Sequence, residues 1–504
     1  MYSTTPLFLS LAIAVFLLYR RFRLSRSSPL PPGPKGLPLI GNLWDIPVDH
    51  PWLTFAKWSS TYGDILYLSS PGNQTIVLNS AEAVTELLEK RSGNYSDRPD
   101  FNMLHLSGWG FSLGFMRYSN WWRTHRRMFH QYFQPRAVPA YYLVQLKATS
   151  VLLRQLIKSP SETFHHIRHH AGSIIMKIVY DYDVDPDGDV FVRLADQSNE
   201  ALRIGGTEGT FLVDYLPILS RVPDWFPGAK FRKLAKTWMK DARAMIEEPF
   251  AYASESIANG NEALSFVSEN LRKMKETELS DNSETSLEII KNAAGVAFTG
   301  GADTTVSTVL SAILAFMLYP EVQAKAQAEL DAVVGGFRLP NFDDHPQLPY
   351  IDAVLSEALR WNPVFPLSIP HRSVTDDVYK GYYIPGGKSR AVLHNEKDYP
   401  NPTIFDPERF MKKEGKELPP DPMAAFGYGR RVCPGRYLAL NTAWIAIASI
   451  ASTLSVSKAV DSDGRVIEPS DKFTGGFMSS PLPFKCMVMA RSVQAQALID
   501  SSRK

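Results

Sequence analysis

The longest apolar signal along the chain is SLEIIKNAAGVAFTGGADTTVSTVLSAILAFMLYP, residues 286 to 320. Apolar side chains fall on every face of this run, a pattern that predicts a helix surrounded by protein, with about 30 helical residues spanning ~45 Å. Glu288, Lys291, the adjacent Gly300 and Gly301, and Asp303 interrupt it, so it reads as the central helix of a large α-rich domain and not as a membrane span. Pro320 closes it, because proline lacks the N–H that another turn would need. EVQAKAQAELDAVVG follows with its charges on one face and stops at Gly335-Gly336. Period-two alternation is confined to short stretches: DILYLSS (64 to 70) and QTIVLNS (74 to 80) flank Pro71-Gly-Asn and predict a hairpin. Ser80 then caps a helix, and there is no repeat period or low-complexity tract. The pattern predicts a mainly α protein with small β-sheets.

Residues 1 to 19 carry no charged side chain, and TPLFLSLAIAVFLLY runs directly into Arg20, Arg21, Arg23 and Arg26. About 19 residues at ~1.5 Å each just cross a hydrocarbon core. A cleaved signal peptide would need a basic start and a small-residue cleavage site, and neither is present, so an uncleaved anchor is expected. The arginines beyond it leave the rest of the chain on the cytoplasmic side. PLPPGPKGLPLIGN, residues 29 to 42, supplies a stiff, extended connector. The chain therefore divides into an anchor (1–20), a basic and proline-rich hinge (21–42) and one body (43–504).

Composition narrows the function. With 44% hydrophobic and 21% charged residues and a formal charge of +2, the body is an ordinary folded domain with no basic excess for nucleic acid. Only two cysteines, Cys433 and Cys486, occur in 504 residues, which fits reduced thiols.

Cys433 lies in FGYGRRVCPG, residues 426 to 435, just before a strongly apolar helix whose free N–H groups and dipole favour a thiolate. A closed zinc site would need three or four ligands, and no Cys/His cluster is near; a nucleophile would need a positioned histidine. A single axial thiolate on haem iron needs no second cysteine and uses the proline and glycines of the loop. Upstream, GGADTT (300 to 305) puts two glycines and two β-branched residues in mid-helix, at about 1 kcal/mol per glycine. Close helix packing and a notch for something bulky explain this equally well. Glu357 and Arg360 in LSEALRW share one helical face, and FDPERF supplies Arg409. A buried carboxylate between two arginines would be a rigid structural lock.

These segments resemble, in order, the motifs of the cytochrome P-450 haem-thiolate monooxygenases: the proline-rich hinge, Trp122-Arg-Thr-His-Arg126, Gly301-Ala-Asp303-Thr304, Glu357-x-x-Arg360, Pro407-Glu-Arg409-Phe410 and the cysteine loop. The stretch from Leu212 to Phe231 is similar to microsomal members of fungal secondary metabolism. The resemblance implies that family's fold behind one N-terminal transmembrane helix, in the endoplasmic reticulum membrane with the catalytic domain in the cytoplasm. It implies haem b (iron protoporphyrin IX), with Cys433 as iron ligand, Gly435 and the sulfur-shielding Phe426 beside it, and Trp122, Arg126, His371 and Arg431 holding the propionates. Asp303 and Thr304 match the pair that handles protons for dioxygen cleavage, with Gly300 and Gly301 making room above the iron. Glu357, Arg360 and Arg409 match the lock. Phe101, Phe115, Phe298, Val364, Ile369 and Phe477, with Met478, are expected along the pocket for a small lipophilic substrate. The reaction implied is insertion of one oxygen atom from O2, with electrons from a membrane-bound NADPH-dependent reductase. A haem-thiolate isomerase or dehydratase is the alternative enzyme, against which Asp303 and Thr304 speak; a membrane-tethered haem protein without turnover is the alternative from another class. One departure stands out: between GYYIP and RAVLH only GGKS (386 to 389) remains, about five residues short, which would shorten half of a small hairpin.

Overall fold

A computed structural model describes residues 28–261, 264–276, 283–386, 388–391, 399–412, 414–415 and 417–501. The apolar segment 5–19 and its flanking arginines lie outside the described residues. From residue 28 the connector is extended, and its carbonyls at Pro29 and Pro32 accept hydrogen bonds from the Tyr383 and Tyr67 N–H groups.

The frame is helical. Its main members are α1 (Asn120–Phe133), α2 (Tyr142–Lys158), α3 (Thr163–Tyr180), α4 (Val190–Gly205), α5 (Lys230–Ala258), α6 (Ser283–Leu318), α7 (Pro320–Val333), α8 (Pro349–Trp361) and α9 (Arg436–Thr453). Several begin where capping chemistry requires. The Ser119 hydroxyl accepts from Trp122 N at the start of α1, and the Asp189 carboxylate accepts from the Phe191 and Val192 N–H groups at the start of α4. Pro320 ends α6 and also opens α7 from its first position, where its missing N–H costs nothing.

The predicted long helix is α6, 36 residues and about 54 Å. It has the length and hydropathy of a membrane span, yet 78% of its apolar stretch is buried inside the protein, which settles the core reading. It packs most extensively on α3 and also meets α4, α5, α8 and α9. The two glycines in its middle have different reasons. A Cβ on Gly301 would lie 2.8 Å from Cγ1 and 3.0 Å from Cβ of Ile175 on α3, whereas one on Gly300 would meet nothing within 4 Å.

The sheets are small, as the alternation predicts. β1 (Ile65–Ser70) and β2 (Asn73–Leu78) pair antiparallel across a two-residue turn, Pro71-Gly72, with Gly72 at φ 70°. Beyond β2 the sheet continues through β6 (Lys388–Ala391), parallel to β2, to β3 (His371–Arg372), antiparallel to β6. The shortened stretch at 386 to 389 thus adjoins a four-residue strand that still bridges β2 and β3; residues 387 and 392–398 lie outside the described set. β4 (Asp377–Tyr379) and β5 (Tyr382–Ile384) form one ribbon, and β7 (Leu454–Lys458) with β8 (Cys486–Ala490) another.

Two buried polar arrangements hold this frame. Glu357 is wholly inaccessible and receives Arg360 through Nε at 2.7 Å and Nη2 at 2.8 Å, and Arg409 through Nε at 3.1 Å. The same guanidiniums reach the carbonyls of Pro400, Pro402 and Ile404, and Asp406 N donates to Glu357 Oε1 at 2.8 Å. The expected lock is therefore formed, and it ties α8 to the segment 400–409. On α3, His166, His169 and His170 are buried, with Nε2 atoms near Ser159 Oγ (2.9 Å), the Val184 carbonyl (3.4 Å) and Thr149 Oγ1 (3.0 Å). Burial holds all three below the usual histidine range, and His170 is pushed down to about 3.

Replacing Arg360 by Met leaves the Glu357 charge poorly compensated and should cost about 3–5 kcal/mol of stability, measured by denaturant unfolding. Because the α3 histidines stay neutral when folded and take up protons when unfolded, the unfolded state binds more protons below about pH 6.5 and stability falls as pH drops. The unfolding midpoint should decrease from pH 7.5 to pH 5, with a shallower slope in His170→Gln, one such group accounting for about 2 kcal/mol at pH 5. Gly301→Ala should destabilise by about 1–3 kcal/mol through its clash with the stiff Ile175, while Gly300→Ala should be neutral or stabilising by up to about 1 kcal/mol in the same thermal scans.

Candidate active site

One side of α6 opens on a cavity of about 290 Å³, measured by the space open to a water molecule's centre. Val296 to Thr308 of α6 form one wall, Trp122, Arg126 and Phe129 of α1 another, and the loop from Ala425 to Gly435 the wall opposite α6. The remaining sides come from the segment 112–115, the segment 364–371, and Asn199 and Leu202 of α4.

The cysteine loop is shaped by its glycines. Gly429 sits at φ 54° with its Cα so close to the helical segment Thr85–Lys90 that a Cβ would lie 2.3 Å from the Leu88 carbonyl oxygen, and no side chain fits there. Cys433 N donates to the Phe426 carbonyl at 2.8 Å, which closes the loop and turns the thiol towards the cavity it lines. Burial pushes the Cys433 thiol up; the Gly435 and Arg436 N–H groups and the charges of Arg126 and Arg436 pull the other way without cancelling it. Gly435 precedes the first turn of α9, and a Cβ there would meet no atom within 4 Å.

Around the rim lies a concentration of positive charge. Arg431 donates to the carbonyls of Ser96 (2.6 Å), Leu113 (3.3 Å) and Met116 (2.9 Å), with its guanidinium carbon 4.3 Å from the centre of a Trp122 ring. Burial holds it at about 10. Arg126 is half-buried, and its guanidinium has no acceptor among the described residues. His371 is buried with Nδ1 2.7 Å from the Tyr95 carbonyl, and burial together with Arg98 and Arg431 keeps it neutral. The Trp122 Nε1 donor is buried without a partner. The nearby carboxylate of Asp97 is turned to Arg117 at 2.7 Å.

Arg98 was not found by sequence reasoning, yet it belongs to this cluster. It lines the cavity and donates to the carbonyls of Gly114 (2.9 Å), Ile369 (2.7 Å) and Pro370 (2.8 Å), and burial and Arg431 both weaken its hold on its proton. No motif spacing marks it, because only the fold brings segment 96–98 beside the cysteine loop. Three guanidiniums, an orphaned indole donor and a neutral imidazole at one edge require an anion, and a flat dianionic group held at its other face by sulfur satisfies all of them. The residues present therefore fit haem.

The other expected residues divide. Thr304 lines the cavity with its hydroxyl donating to the Gly300 carbonyl at 2.6 Å, and α6 continues as regular helix through this back-bond. Asp303 is not on the cavity wall: its carboxylate, 13% exposed, accepts from Arg203 of α4 at 2.8 Å. Phe426, Phe115, Val364, Ile369 and Met478 line the cavity. Phe298 does not; it is fully buried and edge-on to Tyr180, because successive helical positions differ by about 100° and this one faces α3. Phe101 and Phe477 form a second layer behind Phe115, with ring centres 5.0 Å and 6.2 Å from it.

With this geometry in hand, comparison with known proteins is direct. The family model described as "Cytochrome P-450" matches residues 31–488. The chain is 42% identical over 503 residues to cytochrome P-450 monooxygenase 98 of Postia placenta, covering 97% of this chain and 95% of the relative. It is also 42% identical over 499 residues to tryptamine 4-monooxygenase of Psilocybe cyanescens, covering 96% and 98%. A thiol at the floor of a cavity, a cation-rich rim and a match along nearly the whole chain agree: the chain belongs to the cytochrome P-450 family of haem- and dioxygen-using oxidoreductases.

Proposed function

We propose that the protein is a membrane-bound monooxygenase that inserts one oxygen atom from O2 into a small lipophilic substrate of secondary metabolism, with electrons from an NADPH-dependent reductase. The observation that carries this reading is Cys433, a thiol that lines the same cavity as Gly300, Gly301 and Thr304 of α6. When bound, haem supplies the iron at which dioxygen is activated.

The protein's own residues do the rest. Cys433 offers its sulfur as thiolate, favoured by the Gly435 and Arg436 N–H groups and by Arg126, and Phe426 screens it from water. Trp122, Arg126, Arg98 and Arg431 fix the propionates. Gly300 would leave room for the bound group and its oxygen, and Thr304 would hold a hydroxyl proton at the same wall. Asp303 would pass protons to that hydroxyl by exchanging Arg203 for water. Apolar walls exclude bulk solvent and accept a lipophilic guest.

Membrane attachment is supported by two features. The apolar stretch 5–19 precedes the hinge, and the hinge exposes Leu39 (93%) and Leu37 while the body exposes Trp44 (79%), Trp225 (81%), Leu212 and Ile218. Insertion in the endoplasmic reticulum membrane with the body in the cytoplasm fits both. The relatives' fungal origin and the tryptamine substrate in one relative's name fit a small-molecule pathway.

The test is spectroscopic and chemical. Wild-type protein, reduced under carbon monoxide, should show the far-shifted Soret band of thiolate ligation, and reductase with NADPH should drive oxygen uptake. Cys433→Ser should abolish the band and cut uptake at least a thousandfold. Thiolate ligation without any reductase-dependent uptake would leave a binding protein, and conversion without O2 an isomerase.

A further inference from the structure

Resting on the monooxygenase reading, we propose that Asn199 on α4 is the polar anchor of the substrate site, and that the natural substrate carries a hydroxyl or N–H group which donates to its side-chain amide. Asn199 is 2% exposed, lines the cavity, and its Oδ1 is buried without a hydrogen-bond partner. The amide makes no side-chain hydrogen bond among the described residues.

That is an expensive arrangement for a purely structural residue. A buried amide oxygen with no donor costs about 1–3 kcal/mol, and asparagine is a poor helix former in the interior of α4. Buried polar groups without partners call for an explanation, and a cavity wall provides one: the missing partner arrives with a ligand. Amide rotation about χ2 is the only change needed to present the acceptor to the chamber.

Two of the hydroxyls that line the chamber are already committed. Thr299 donates to the Gly295 carbonyl at 3.1 Å and Thr304 to Gly300, so both hydroxyl protons are used within α6. The cationic cluster and its orphaned indole donor belong to other elements of the lining. Asn199 lies one helical turn before Arg203, whose partner is Asp303, the residue next to Thr304. A donor held by Asn199 is therefore tethered beside the Gly300–Thr304 wall, which orients the rest of the molecule in the apolar space.

The experiment uses haem-loaded full-length protein, wild type and Asn199→Leu, and two matched probe pairs: indole with 1-methylindole, and phenol with anisole. Both proteins should give the reduced carbonyl band of thiolate ligation; its absence in wild type would count against the monooxygenase reading and not against Asn199. Substrate-type spectral titration of wild type should favour the donor-bearing member of at least one pair by about five- to tenfold. Asn199→Leu should erase that preference, and its unfolding midpoint should equal or exceed wild type's, because an unsatisfied amide has been removed. The proposal is overturned if the variant's midpoint falls by several degrees, if wild type does not discriminate within either pair or binds none of the four, or if the variant keeps the preference.

Discussion

The carboxylate of Glu357 is the fixed point on which the site depends. It lies on α8, fully enclosed, and its two guanidinium partners come from its own helix and from the segment that leads towards the cysteine loop. That segment has little regular structure of its own. Its carbonyls at 400, 402 and 404 are satisfied by the same two arginines, so one ionic centre replaces the hydrogen bonds that a strand or helix would have supplied. A charge buried this deeply contributes little net stability compared with a hydrophobic substitute, but it permits a single arrangement of the chain around it. Downstream, the short helical turn Pro422–Phe426 packs against the same α8, and Phe426 then receives the Cys433 N–H. The position of the sulfur is inherited from the lock through two short steps.

Charge at the opposite edge of the cavity follows a different logic. Arg98 and Arg431 are both buried, and burial lowers the proton affinity of each, Arg431 lowering that of Arg98 further and Arg126 that of Arg431, while their N–H groups are used on carbonyls of the segments 96–116 and 369–370. Carbonyl dipoles can hold the guanidiniums in place but cannot neutralise them. Cationic residues so arranged store electrostatic free energy that is released when an anion enters, which couples retention of the cofactor to stability of the loops that supply the arginines. Arg126 differs in having no acceptor among the described residues, and its charge acts on the Cys433 thiol, favouring loss of the proton.

Much of this was legible in the sequence because the chemistry is compressed into contiguous stretches. Cys433 with its glycines, Trp122 with Arg126 one turn on, and Glu357 with Arg360 are local patterns, and each local pattern fixes its own geometry once the helix or loop forms. The 36-residue helix was legible as core from its interrupting charges alone. Arg98 and Asn199 were not, since each owes its place to segments far away in the chain. Pocket aromatics divided for a similar reason: Phe115, in the segment before α1, meets the cavity, while the rotation of α6 against α3 turns Phe298 to Tyr180. Asp303 shows the same limit, its partner Arg203 lying 100 residues earlier.

The two readings of GGADTT, packing and a notch beside the cavity, turn out to describe neighbouring positions on one helix. Gly301 is small because Ile175 occupies the space a methyl group would need, and Gly300 is small with nothing in its way except the chamber. Asp303 faces α4 and Thr304 the chamber, and the step of about 100° between neighbours makes this division unavoidable. A helix in this position must be apolar enough to lie in the middle of the protein and yet carry the polar side chains of Asp303 and Thr304 at its waist. Concentrating the exceptions in six residues keeps the flanking turns free to pack against α3, α8 and α9. The same economy explains why the back-bonded Thr304 does not interrupt α6: the hydroxyl is absorbed into the hydrogen bonding of a helix that packs against α3, α4, α5, α8 and α9.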